Sequence, residues 1–185
     1  MHTKMTKRTR VLARAAAVLA AAALILVVGA SAAVATGPSV GFVFHARDVK
    51  GAPTGAVRLT GAGVFSTDRG FVRAGGLFRC TSSVGQGPLA GCMAGEGVRW
   101  HSAELLPSTP FKCTGAASEV LKTATTDART VALRSSFFRA GDGRNASFTA
   151  NTFVSANDLA PDIPGVQNVW IQGVGCATAT THFTS

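Results

Sequence analysis

Val57-Arg58-Leu59-Thr60-Gly61-Ala62-Gly63-Val64-Phe65 is answered by Val72-Arg73-Ala74-Gly75-Gly76-Leu77-Phe78, with Thr67-Asp68-Arg69-Gly70 between them. Each segment has Val-Arg, then a pair of glycines, then an apolar residue and Phe. Two segments of period two on either side of a short polar turn read as an antiparallel hairpin. Glycine inside a strand marks a bulge, a sharp bend or the close approach of another backbone. Glycines side by side on paired strands let a sheet curl, which favours a barrel over a sandwich.

The same alternation extends in both directions from this hairpin. In Val40 to Arg47, Phe42 and Phe44 fall on one face while Val43 and His45 fall on the other. Glu119 to Thr126, Thr130 to Ala140 and Ser147 to Ala156 read as three further strands, rich in Thr, Val and Phe. Gly97 to Leu106 reads as a strand running into a short helical turn stopped by Pro107, and Val166 to Phe183 as one long final strand bent at Gly173 and Gly175. No segment sustains the helical period. The expectation is an all-β, single antiparallel domain of about seven or eight strands, with a barrel preferred over a sandwich.

Residues 1–35 belong to another physical class. Lys4, Lys7, Arg8, Arg10 and Arg14 form a cationic start, Ala15 to Val28 is an unbroken apolar run, and Gly29 to Ala35 is made of small residues and Val34. That order is the pattern of a secretory signal peptide, cleaved after Ala35 or after Ala32. The remaining residues 36–185 would be the mature β domain, secreted or held at the exterior of the cell envelope. Contact with a membrane is expected only through the uncleaved signal. Five of the 18 basic residues lie in the signal, leaving 13 against nine acidic residues, a net charge of +4. Scattered charge of that size gives no nucleic-acid footprint.

All four cysteines, Cys80, Cys92, Cys113 and Cys176, lie beyond residue 35. An even count in an exported chain reads as two disulfides. Of the three possible connectivities we favour Cys80–Cys92, closing a Gly-rich loop, and Cys113–Cys176, tying the last strand to the middle of the domain. The spacing fits no zinc site.

The segments VGFVFHAR, PTGAVRLTGAG, AGGLFRCT, GPLAGCMAGEGVRW, FKCTGAA and DLAPDIPGVQNVWIQGVGC together resemble a group of small exported bacterial β proteins of uncharacterised function. The resemblance spans nearly all of residues 36–185 and implies no activity. The layout of strands and glycines is also similar in outline to calycin-type barrels, an analogy of architecture alone.

Few residues point to chemistry. No catalytic motif and no cofactor motif stands out, and His45, His101 and His182 come from distant parts of the chain. His101 and Glu104 would be neighbours on a helical turn, where a carboxylate orients an imidazole for acid/base work. On a strand they would face opposite ways. Asn168, Trp170 and Gln172 alternate on one strand face, and a tryptophan between two amides is the most ligand-like stripe in the chain. The leading expectation is a non-catalytic binding or envelope-associated domain for a small apolar ligand or an envelope component. The alternative is a small barrel enzyme using His101 or His45 as acid/base.

Overall fold

The computed structural model describes residues 38–184, so the expected signal segment and both cleavage registers lie outside the described residues. Among the described residues eleven strands form: β1 (Val40–Gly51), β2 (Ala56–Ser66), β3 (Phe71–Ser82), β4 (Arg99–Leu106), β5 (Ser108–Phe111), β6 (Lys122–Thr125), β7 (Thr130–Phe138), β8 (Phe148–Ser155), β9 (Val169–Ile171), β10 (Gly175–Ala177) and β11 (Ala179–Thr184). Nine of them make one sheet in the order β10-β9-β8-β7-β4-β3-β2-β1-β11, and β5 with β6 make a separate two-stranded sheet.

The β2–β3 hairpin forms as its sequence implies. Gly70 closes the turn with φ near +58°, and its amide donates to the Thr67 carbonyl at 3.2 Å. Across the hairpin Gly61 pairs with Gly76, Ala62 with Gly75 and Gly63 with Ala74. The glycines make room for Trp100 of β4. A Cβ on Gly61 would collide with Cζ2 of that indole, and one on Gly76 with the Thr60 carbonyl. Trp100 lies buried there, its Nε1 donating to the Thr60 carbonyl at 2.9 Å. Removal of side chains at the crossing lets two strands bend around a large ring.

Inward residues of the sheet share one core. Phe42 and Phe44 of β1, Leu59 and Phe65 of β2, Phe78 of β3, Leu133 and Phe137 of β7 and Ile171 of β9 all belong to it. A second core lies outside the sheet. Phe111, Ala124, Phe153, Ala160 and Trp170 pack together with the Cys113–Cys176 disulfide. The β5–β6 hairpin brings Phe111 and Ala124 to this cluster, and β8 is therefore buried on both faces toward its end.

The expected barrel of seven or eight strands is corrected. The sheet is ring-like and not a closed barrel. β10 returns to β1 only through Lys50↔Cys176 and Gly51↔Gly175. β3 meets β4 only through Gly75↔His101 and Gly76↔Trp100. β11 ends the sheet, paired with β1 alone among the described residues. The physical reason lies in the final segment, which is not one bent strand. Gly173 and Gly175 both take positive φ, +80° and +123°, and the Val174 amide donates to the Ile171 carbonyl at 3.0 Å. β9 and β10 thus fold back on each other as a short hairpin, and β11 then joins β1 separately.

The other departure is at Gly97 to Leu106. No helical turn precedes Pro107, because β4 pairs with β7 all the way from Arg99↔Phe138 to Leu106↔Ala132.

Both disulfides join the cysteines as favoured, Cys80–Cys92 and Cys113–Cys176. The first pins the loop after β3, where the Cys80 amide donates to Glu96 and the Val84 amide to Cys92. In the chain-entropy view a loop of this size contributes about 3 kcal/mol, and the longer Cys113–Cys176 closure about 4 kcal/mol.

Candidate binding face

The outer face of β1, β2 and β3 exposes apolar side chains on regular strands. Alternation buries Phe42, Phe44 and Ala46 and so turns Val43 and His45 outward. Register continues the rows across the sheet. Val43 sits between His182 of β11 and Ala62 of β2, and Ala62 sits beside Gly75 of β3. One row further on, His45, Thr60 and Leu77 are aligned, and beyond them Arg58 faces Arg79. Val43 is 49% exposed, Val64 40% and Leu77 64%.

Small residues hollow this face. A shallow cavity of about 520 Å³ opens over Gly41, Ala62 and Gly63, walled by Val43, Val64, Arg73 and His182. A second, of about 400 Å³, lies over Thr60 between His45, Arg58, Leu77, Arg79 and Val98. Arg58, Arg73 and Arg79 form no ion pair with any carboxylate among the described residues. The face is therefore apolar and positively charged at once, with two shallow hollows in it.

The residues singled out by sequence are distributed as follows. His45, His101 and His182 are all exposed, His45 and His182 on adjacent strands β1 and β11, and His101 on β4 beside Gly75. Among the described residues no cluster of His, Cys, Asp or Glu is arranged to hold a metal ion. A bulge between Ser102 and Glu104 shifts the alternation of β4, so His101 and Glu104 are both exposed despite lying three apart on a strand. No hydrogen bond joins them. His101 packs against the Phe138 ring at 4.8 Å, and Glu104 pairs with Arg134 at 3.9 Å.

Asn168, Trp170 and Gln172 occupy one side of the β9 segment, in three different environments. Asn168 is buried, its amide exchanging two hydrogen bonds with the backbone of Ala179 at 2.7 and 3.0 Å. Trp170 is only 4% exposed, stacked on Phe153, with Nε1 donating to the Lys112 carbonyl at 2.9 Å. Gln172 is exposed, and its carbonyl accepts the Asn151 amide at 3.1 Å. Trp170 and Gln172 border a small cavity of about 260 Å³ beside Pro110 and Leu121.

Sequence reasoning missed one electrostatic feature. Glu119 accepts hydrogen bonds from the Cys113 amide at 2.6 Å, the Thr114 amide at 2.7 Å and the Thr114 hydroxyl at 2.6 Å. Lys122 lies 3.4 Å from it and bridges to Asp162 at 2.8 Å. Burial alone would raise the Glu119 pKa, but the Thr114 hydroxyl, the two amides and Lys122 together lower it to about 2. The carboxylate fastens the loop around Cys113. No motif announces such a clamp, because its partners are backbone amides.

Compared with known proteins, the chain matches no family model, no curated protein and no solved structure. What stands without comparison is a small all-β domain with two disulfides. No helix among the described residues is long and apolar enough to cross a membrane.

Proposed function

We propose that this chain is an exported, non-catalytic binding domain that takes an amphipathic molecule of the cell envelope on the outer face of β1, β2 and β3. One observation carries the reading. Val43, Val64 and Leu77 are exposed on strands whose opposite side already supplies the core. Much of their apolar surface is left to solvent, beside two hollows on the same face, and exposed apolar surface of this kind marks a contact site. Its two hollows are shallow enough to accept a chain or ring lying along the sheet.

Export is supported by the order of charge, apolar run and small residues in 1–35, and by four cysteines all paired in disulfides. A binding role is supported by the manner in which the histidines and carboxylates are used. Glu104, Glu119 and Asp142 are each engaged by neighbouring groups, as a surface salt bridge or as loop fasteners.

The test is to recover the protein from the outside of cells and extract what is bound to it. Mass spectrometry should find envelope lipid or another amphiphile on the parent protein and much less on a Val43→Ser, Leu77→Ser variant of unchanged fold. Equal recovery from both would remove the face from consideration.

A further inference from the structure

We infer that Arg58 and Arg79 seat the anionic head of an acyl phospholipid whose apolar part lies along Leu77 and Val98. This inference rests on the binding face proposed above and names the chemistry of its ligand.

Arg58 and Arg79 are direct cross-strand partners on the outer face of β2 and β3. Residues opposed in this way carry Cβ atoms about 4.5–5.5 Å apart, and like charges so placed destabilise a sheet. A strand pair normally resolves the conflict with a nearby carboxylate. Here the acidic residues of the flanking segments are occupied elsewhere. Asp48 pairs with Lys50 at 2.6 Å, and Glu96 pairs with Arg139 at 3.6 Å and accepts the Met93 amide at 2.9 Å. Arg58 and Arg79 thus line one cavity with Thr60 and His45 and form no ion pair there, while Arg79 also lines a neighbouring cavity that holds Glu96 and Asp142.

Guanidinium forks suit phosphate oxygens, which they bind in paired, charge-assisted hydrogen bonds. The remaining wall of the cavity is apolar, with Leu77 64% and Val98 44% exposed. A soluble phosphate would use the arginines and leave those side chains in water. A phospholipid would use both, and the volume of about 400 Å³ suits a head group with the start of its chains. Charge and apolar surface side by side favour the lipid.

Residues 38–184 contain both cores, so a chain of residues 36–185 is the protein to test. Its binding to vesicles of phosphatidylglycerol and of phosphatidylcholine should be measured, with inorganic phosphate as competitor. Arg58→Gln with Arg79→Gln should weaken phosphatidylglycerol binding about 30-fold, at roughly 1 kcal/mol for each arginine at an anionic surface. It should weaken phosphatidylcholine binding much less, because the choline cation of that head offsets its phosphate. Arg129→Gln with Arg134→Gln, an equal loss of charge just before and within β7, should change neither.

Parent-like binding of phosphatidylglycerol by the Arg58→Gln, Arg79→Gln variant overturns the head-group seat. So does an equal loss from the β7 pair. If Leu77→Ser still weakens binding to both vesicles in those cases, the binding face survives without the seat. If Leu77→Ser has no effect, the face itself fails. Displacement of the vesicles by millimolar phosphate alone would overturn the lipid as ligand in favour of a free anion.

Discussion

Gly61 lies directly beneath the indole of Trp100, so close that a Cβ on the glycine would overlap Cζ2 of the ring. The indole can lie over β2 only because Gly61 carries no side chain. Gly61→Ala should therefore destabilise the fold by about 2 kcal/mol, the usual cost of overpacking a core. Trp100→Leu should itself be destabilising but should reduce the cost of Gly61→Ala, leaving only the closer fit against the Gly75 carbonyl at 2.9 Å and the Phe44 ring at 3.0 Å. Urea melts of the two single variants and the double variant measure that coupling. Additive losses would mean that the glycine serves some other purpose.

Glu119 gives the fold an acid-sensitive point. Its carboxyl titrates near 2 in the folded protein against an ordinary 4.5. The folded state thus holds this proton less tightly than the unfolded chain does. The contribution to stability is full above about pH 4.5 and drains away as the pH falls toward 2. Asp142, lowered by the Ser147 hydroxyl and the Arg139 amide, acts in the same direction. Glu119→Gln should lower stability at pH 7, where the carboxylate is fully charged in both states. It should also flatten the stability profile between pH 4.5 and 2, as read by denaturant melts at each pH. An unchanged slope would show that the clamp does not operate.

Trp170 belongs to the second core, packed against Phe111 and Phe153. Trp170→Ala should lower stability by about 3–5 kcal/mol, as aromatic truncations do. A denaturant melt beside the parent protein reads this directly. A loss below 1 kcal/mol would return Trp170 to the candidates for ligand contact.

Export has its own chemical readout. Protein collected outside the cell should begin at Thr36, or at Ala33 if the earlier register is used. N-terminal sequencing distinguishes these from an intact Met1 form, which would contradict the reading of residues 1–35.

Much of this fold was legible because its signals are local. The alternation of Phe42 and Phe44 against Val43 and His45, the β2–β3 hairpin and the glycine pairs all depend on neighbours in sequence or across one turn. The cysteine count implied two disulfides but left three connectivities open, and the favoured one is the one that forms. What sequence hid was non-local. Glycine pairs report curvature at one place and say nothing of how the last segment returns, so the barrel expectation failed at Gly173 and Gly175. Pro107 and Pro110 concealed β5, whose partner β6 lies beyond a long loop. The bulge at Ser102 to Glu104 has no signature, although it decides where Glu104 points.

The candidate face was hidden for a different reason. Period-two alternation puts Val43 opposite Phe42 and Phe44, but the pattern alone does not say whether the face that Val43, Val64 and Leu77 share is covered. Only the structure shows that the core is complete without them.

The central claim is that this face, and no other, takes an amphipathic partner. Backbone amide shifts measured by NMR during titration with short-chain phosphatidylglycerol, below its micelle concentration, test it most directly. Resonances of Val43, Ala62, Val64 and Leu77 should move together and saturate, while those of Ala132, Arg134 and Asn151 on β7 and β8 stay in place. Shifts centred on Gln172 and Leu121, or no saturable shifts at all, would contradict the account.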